Sequence, residues 1–411
     1  MTMRRVVVTG LGLVSPHGTD PETVFSRLMK GQSVVREVSF DAANGYSNIA
    51  ATVEFEPGRY FPPQQRLENL DRVSQLSIAA ATEALADSGI EFSDDLRRRS
   101  GVSFGTGMGS AQALEETFSQ VMLRDPDRVR PLTVLKVMNN ASAGHIAIQH
   151  GLRGPDLTYS CACSSSAVAI GEAARQIRHG YADLMVAGGA ESALIYTFFK
   201  AWDAMHVLAP ADRSDLSASC RPFAKDRSGL VLGEGAAMLV LEEREAALRR
   251  GATIYAELAG YGSSNEHTHI TKPSVEGQAH AMTMAIADAG LTPADIDYVN
   301  AHGTGTQLND ATETRALKNV FGDRAYRIPV SSTKSMHGHL LGGAGALELA
   351  ISLLAMRYEA VPPTANLEVS DPECDLDYVP GQGRANQNIR CVMSNSFAFG
   401  GTNAVLIARR A

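Results

Sequence analysis

Thr158-Tyr-Ser-Cys-Ala-Cys-Ser-Ser-Ser-Ala-Val-Ala-Ile-Gly171 is an extended run that breaks into small residues and then enters a helix-forming stretch. Helix formers with apolar side chains continue from Ala167 to His179, which predicts a long, largely buried helix. A cysteine at such a break can point its sulfur at the helix N-terminus, where unpaired N–H groups and the macrodipole favour thiolate. Taken alone, Cys163 reads as a buried structural thiol, and neighbouring chemistry elsewhere in the chain has to overturn that reading.

Outward from this stretch, short Val- and Ile-rich strands alternate with Ala-rich helices. Arg5 to Val14 reads as a strand, Asp71 to Gly89 as a helix ending at a glycine, and Val102 to Gly109 as a strand passing into a glycine turn. Helical Ala111 to Leu123 follows, then strands at Leu184 to Ala190 and Ala236 to Glu242. The polar, glycine-terminated Glu242 to Gly251 segment is the expected junction. Beyond it the order restarts: strands at 253–260, 296–300 and 329–333 alternate with helices at 277–290, 311–321 and 345–357, and a last strand runs from Ala404 to Ala408. This is an α/β protein with two successive halves of similar element order, divided as 1–250 and 251–411.

Composition narrows the function. The chain has 411 residues and a net charge of -8, which argues against generic nucleic-acid binding. Nothing approaches a membrane span, and Met1 to Gly10 reads as a first strand and not as a signal peptide. Five cysteines, an odd number, fit a reducing, cytoplasmic setting, and their spacing does not suit a metal site.

Three polar segments stand in the second half. Tyr298-Val-Asn-Ala-His302-Gly-Thr-Gly-Thr306 puts a histidine in a glycine-rich turn after a strand. Ser331-Ser-Thr-Lys334-Ser-Met-His337-Gly-His339-Leu-Leu-Gly-Gly343 puts a lysine and two histidines between a strand and a helix. Ser394-Asn-Ser-Phe-Ala-Phe399-Gly-Gly-Thr-Asn403 is a glycine turn beside the final strand. Strand-end turns of this kind are where α/β sites collect, although Gly303, Gly305, Gly400 and Gly401 can equally serve backbone geometry alone.

Together with Cys163, these segments resemble the β-ketoacyl-acyl carrier protein synthases of the thiolase superfamily, close to the elongating type II enzymes (3-oxoacyl-ACP synthase 2). The resemblance spans essentially the whole chain and includes Val8 to Gly12, Val186 to Ser192 and Arg221 to Gly235. It implies a five-layer αβαβα sandwich of two duplicated halves and a decarboxylative Claisen condensation of an acyl thioester with malonyl-ACP, in fatty-acid or polyene/polyketide elongation. It selects Cys163 over Cys161 as nucleophile, and it marks His302, His339 and Lys334 as the decarboxylation set. Backbone N–H groups of Cys163 and Phe399 would form the oxyanion site, with the Phe399 ring gating the acyl pocket.

The resemblance places Met108 at the pocket floor and Trp202 on its wall, where a smaller aromatic is common. It puts His269 near the entrance and Thr304 and Thr306 in the substrate-binding turn. For Glu348 two roles stay open: holding Lys334, or joining Asn300 and Asn395 around a monovalent cation. No cofactor is implied. The partners implied are an acyl carrier protein in acyl and malonyl forms and a second subunit, identical or ketosynthase-like. A non-elongating, chain-length-factor-like subunit is the alternative, and Cys163 opposes it. A degradative thiolase would use a second cysteine as base, and thioester hydrolysis needs only the cysteine and a histidine.

The chain also departs from the pattern. Ala398 replaces a common glycine, which stiffens the turn. Glu68, Asn69 and Asp127 stand where basic residues often face the carrier, and His206 replaces an arginine. These changes point to a dedicated carrier from a specialised pathway.

Overall fold

The structure is a computed structural model that describes residues 3–40 and 46–411. Strands β1 (Val6–Val14), β2 (Ser100–Gly105), β3 (Asp156–Tyr159), β4 (Leu184–Glu191) and β5 (Gly235–Glu243) alternate with helices α1 (Arg72–Ser88), α2 (Ala141–His150) and α3 (Ser165–Arg178). The second half repeats the series. It holds β6 (Ala256–Asn265), β7 (Tyr298–Asn300), β8 (Val330–Ser331), β9 (Cys391–Phe397) and β10 (Thr402–Arg409), with α4 (Val275–Asp288), α5 (Gln307–Phe321) and α6 (Ala344–Tyr358).

The duplication is visible in the topology. The first half orders its strands β1-β5-β4-β2-β3 and the second β6-β10-β9-β7-β8. In both, the first two pairings are antiparallel and the last two parallel. The halves join where β1 meets β6, at Val7 with Glu257 and Val8 with Ala256. We propose the segment around residue 250, between β5 and β6, as the boundary of the two repeats.

Why α6 is buried along nearly its whole length, while α3 keeps Glu172, Arg175 and Arg178 at least partly exposed toward its end, follows from their place. Helix α3 packs on β2, β3, β4 and β5 and also reaches β6 and β10, while α6 packs on β9 and β7 and on β4 and β5. Helices α1 and α2 cover the outer face of the first half, and α4 and α5 the outer face of the second. Five layers result. A helix covered on both faces has no side left for charge, so nearly every residue of α6 from Ala344 to Met356 is buried. Small residues let the two central helices touch: a Cβ on Gly345 would sit 2.9 Å from that of Ala167. Their N-termini therefore meet in the middle of the molecule, at the ends of parallel strands.

Candidate active site

Cys163 lies in a one-turn 3-10 segment, Ala162–Ser164, between β3 and α3. Ala162 takes a left-handed φ of 49°, an uncommon conformation for a residue with a Cβ. Local hydrogen bonds hold it there. The Ser165 hydroxyl donates to the Ala162 carbonyl (2.7 Å) and accepts from the Cys161 N–H (2.8 Å). Cys163 is buried and faces the site, whereas half-buried Cys161 packs against the central core.

His302 follows β7 in a turn pinned by two buried carboxylates of α5. Glu313 accepts from the N–H groups of His302 and Gly303, both at 2.8 Å. Asp310 accepts from Thr304 and Gly305, both at 3.1 Å. Gly303 has φ 30°, and a Cβ there would come within 2.6 Å of the Ser332 Cβ. His339 is held by its backbone: its N–H donates to Val231 (2.7 Å) and its carbonyl accepts from Gly233 (2.9 Å). Lys334, fully buried, pairs with fully buried Glu348 of α6. That contact supports the first of the two roles left open for Glu348.

The side chains converge. Cys163 Sγ and one nitrogen from each of His302 and His339 lie within 4.8 Å of one another. The imidazoles meet edge to face at a centroid distance of 5.3 Å, and His302 Nδ1 and both His339 nitrogens have no protein partner. Burial first, and the Lys334 charge second, hold both imidazoles well below their usual range, so both are neutral. Burial also pushes the Cys163 thiol up to about 12; Lys334 and the Phe399 backbone N–H pull it down, against Glu191 and Glu348. With burial the largest of these influences, the resting group is a thiol. Three such donors could ligate a metal ion, but the Lys334 ammonium beside both imidazoles opposes a dication.

A cavity of about 360 Å³ opens onto these groups, lined by Cys163, His302, His339, Trp202, Thr304, Thr306, His269 and Phe399. Met108 is not among its walls. It packs with Phe199, Leu341, Ala398 and Cys163 in the apolar cluster beside the thiol. Larger surface hollows of about 560 and 770 Å³ are lined by Tyr46, Asp203 and His206, and by Glu68, Arg128 and Lys136; neither reaches the thiol.

His337 is structural: its ring bonds to the Gly338 carbonyl (2.8 Å) and the Thr333 hydroxyl (3.0 Å). Asn300 Oδ1 and Asn395 Oδ1 are buried oxygens without a partner among the described residues, but their amides face opposite layers: Asn300 Nδ2 donates to the Glu348 carbonyl of α6 (3.4 Å) and Asn395 Nδ2 to the Glu313 carboxylate of α5 (3.1 Å).

One group escaped the sequence reading. Glu191, at the end of β4, is fully buried and accepts from Gly107 (2.8 Å), Met108 (3.2 Å), Gly342 (3.1 Å) and the Thr106 hydroxyl (3.2 Å). It ties the Met108 turn to the turn after His339. Burial pushes it up to about 7, against those hydrogen bonds. The signal was the Gly188-Gly189-Ala190-Glu191 sequence, a carboxylate ending an apolar strand.

A buried thiol and two neutral imidazoles, brought together by a duplicated five-layer α/β frame, are the setting of a condensing enzyme of the thiolase type. Residues 3–247 match the "Beta-ketoacyl synthase, N-terminal domain" model and residues 255–368 the "Beta-ketoacyl synthase, C-terminal domain" model; the chain belongs to the β-ketoacyl synthase family. It is 44% identical to nodulation protein E of Rhizobium leguminosarum bv. trifolii, with 99% of both chains covered. It is 42% identical to 3-oxoacyl-[acyl-carrier-protein] synthase 2 of Coxiella burnetii, covering 100% of this chain and 99% of that one. Among solved structures, the ishigamide ketosynthase/chain length factor aligns over the full length of both chains with a TM-score of 0.91 and 36% identity.

Proposed function

We propose that the protein elongates acyl chains by decarboxylative condensation, with Cys163 as nucleophile and His302 and His339 as the enolate-stabilising pair. The observation that carries this reading is the convergence of one thiol and two neutral imidazoles at a single cavity.

In the first half-reaction the Cys163 thiol attacks an acyl thioester. The new C–S bond replaces the old one, and the thiol proton leaves on the departing carrier thiol. The oxyanion of the tetrahedral state is held by the N–H groups of Cys163 and Phe399, the latter already directed at the sulfur. A thiol pushed up by burial reacts when substrate excludes water and that N–H pair takes the charge.

In the second half-reaction the malonyl C–C bond breaks, CO₂ leaves, and its electron pair passes into an enolate. Two neutral N–H donors aimed at the thioester oxygen stabilise that charge. Charged imidazoles would lose a proton to it instead. Burial, reinforced by the charge of Lys334 fixed on Glu348, keeps both rings neutral. The enolate carbon attacks the acyl-cysteine, and Cys163 leaves as thiolate and regains a proton.

The name of the Coxiella relative supports an acyl carrier protein as substrate carrier. Here the cations facing the outer hollow are partly neutralised: Arg130 pairs with Glu68 (3.4 Å), Arg128 with Asp125 (3.1 Å) and Lys136 with Glu116 (3.9 Å). A weaker positive field favours a dedicated carrier over a strongly acidic general one. Exposed Phe118, Met122, Leu123, Val134, Leu135 and Ile148, on segments near the edge strand β3, support a dimer with an identical or ketosynthase-like subunit. Among the described residues no helix is long and apolar enough to cross a membrane, and five free thiols support a cytoplasmic setting.

The test is formation of 3-oxoacyl-carrier and CO₂ from acyl- and malonyl-carrier, lost in Cys163→Ala. Release of free acid alone would favour thioester hydrolysis. Tightest binding to a general fatty-acid carrier would count against the dedicated one.

A further inference from the structure

Trp202 and Phe399 face each other from opposite halves. Trp202 stands on the helix Tyr196–Ala204, Phe399 on the turn between β9 and β10, and both line the cavity. Their rings stack at 6.0 Å between centroids with an interplanar angle of 29°. The turn is otherwise held by backbone bonds, Ala398 N–H to Thr402 (3.1 Å), Gly401 N–H to Ala398 (3.0 Å), Gly400 N–H to Ile270 (2.8 Å) and Glu266 N–H to Gly401 (2.9 Å), and by the Asn265 amide, which donates to the Gly400 carbonyl (3.3 Å). Gly400 and Gly401, at φ 85° and 84°, give it freedom to turn. The Phe399 backbone N–H lies near the Cys163 sulfur and pulls its pKa down against the burial that raises it. Ring position and N–H direction are therefore joined in one residue, and the indole is the ring's aromatic partner.

We propose that Trp202 is a positioning residue: its indole holds the Phe399 ring across the cavity, keeps the Phe399 N–H aimed at Cys163, and lets go when an apolar chain occupies the thiol. Behind Phe399, Met108, Phe199, Leu341 and Ala398 fill the space beside the sulfur, so a long chain on Cys163 must displace packed side chains. The ring pair closes one side of that space. An aromatic pair of this kind is strong enough to bias a turn and weak enough to be broken by a bound chain. The proposal rests on the condensation reading for its chemistry.

Trp202 is the chain's one tryptophan, so its emission reports on the stack directly. Cys163 in the full-length protein is alkylated with iodoacetamide or with an N-octyl iodoacetamide, neither of which needs condensation to occur. The octyl label should shift Trp202 emission and the small label should not; in Phe399→Ala the unlabelled protein should already show the shifted emission. Trp202→Ala should lower condensation kcat about three- to tenfold with an unchanged KM for the malonyl thioester, and speed alkylation of Cys163 by a similar factor. Trp202→Phe should restore both to within about twofold.

A residue that merely lines the wall would alter the KM of the acyl thioester and leave alkylation alone. An octyl label without effect on emission, or one whose full effect persists in Phe399→Ala, overturns the proposal. Emission that responds while no variant forms a 3-oxoacyl product would sink the condensation reading and leave the stack intact.

Discussion

In the first half the junction between β3 and α3 carries Cys163; in the second the matching junction, between β8 and α6, carries Lys334 and His339. The turn after β2 holds Met108, and its counterpart after β7 holds His302. Each of these turns is cradled by a buried carboxylate, Glu191 for one and Glu313 for the other. One frame is thus used twice with different chemistry. The first half presents a thiol in apolar surroundings, suited to holding an acyl chain. The second presents buried, unpaired nitrogens beside a fixed cation, suited to forming a carbanion. The last loop differs most: in the second half β9 and β10 are joined by a tight turn carrying Phe399, whereas β4 and β5 are separated by a long insertion carrying Trp202.

If the halves divide the work in this way, they can be disabled separately. Cys163→Ala should cost at least about 10³-fold in condensation while malonyl-carrier still loses CO₂. Equal loss of both activities would break the division. His302→Ala or His339→Ala should cost about 10²- to 10³-fold in condensation, with acylation of Cys163 retained to within about tenfold. Single-turnover measurement of each half-reaction would show it.

Glu191→Gln is expected to be smaller, about tenfold, because an amide presents N–H where the Met108 and Gly342 turns also present N–H. It should act on chain-length preference as well as rate, and an unchanged product-length profile would limit Glu191 to folding. The smallest effect concerns pH. Burial and Lys334 disfavour the imidazolium, so the proton is refused as pH falls through 6.5. The ring resonances of His302 and His339 should stay constant from about pH 8 to about pH 5.5. Titration near 6.5 would mean that water reaches them.

Much of this was legible in the chain. Cys163, His302, Lys334, His339 and Phe399 stand in small-residue or glycine-rich segments at strand ends, ambiguous one by one and singled out as a set by the family resemblance, and the restart of element order after Gly251 foretold the repeated topology. Less legible was what surrounds them. Glu313 and Asp310 read in sequence as ordinary acids, because a carboxylate buried against backbone N–H groups leaves no local pattern, and Glu191 had only its place at the end of an apolar strand to mark it. His337 had no role in the sequence reading, and its two hydrogen bonds show a structural one. The state of Cys163 was also hidden: helix-terminus chemistry favours thiolate, but the depth of burial that opposes it depends on packing from the other half. Met108 sits beside the thiol and outside the open cavity for the same reason, since Phe399 comes from a distant segment.

The most direct test is intact-protein mass spectrometry with peptide mapping. The protein is given an acyl-carrier thioester and then malonyl-carrier. The account predicts one acyl group on Cys163 after the first addition, and its disappearance with stoichiometric 3-oxoacyl-carrier after the second. Acyl mass on Cys161 or elsewhere, or 3-oxoacyl product from a chain never acylated at Cys163, would contradict it.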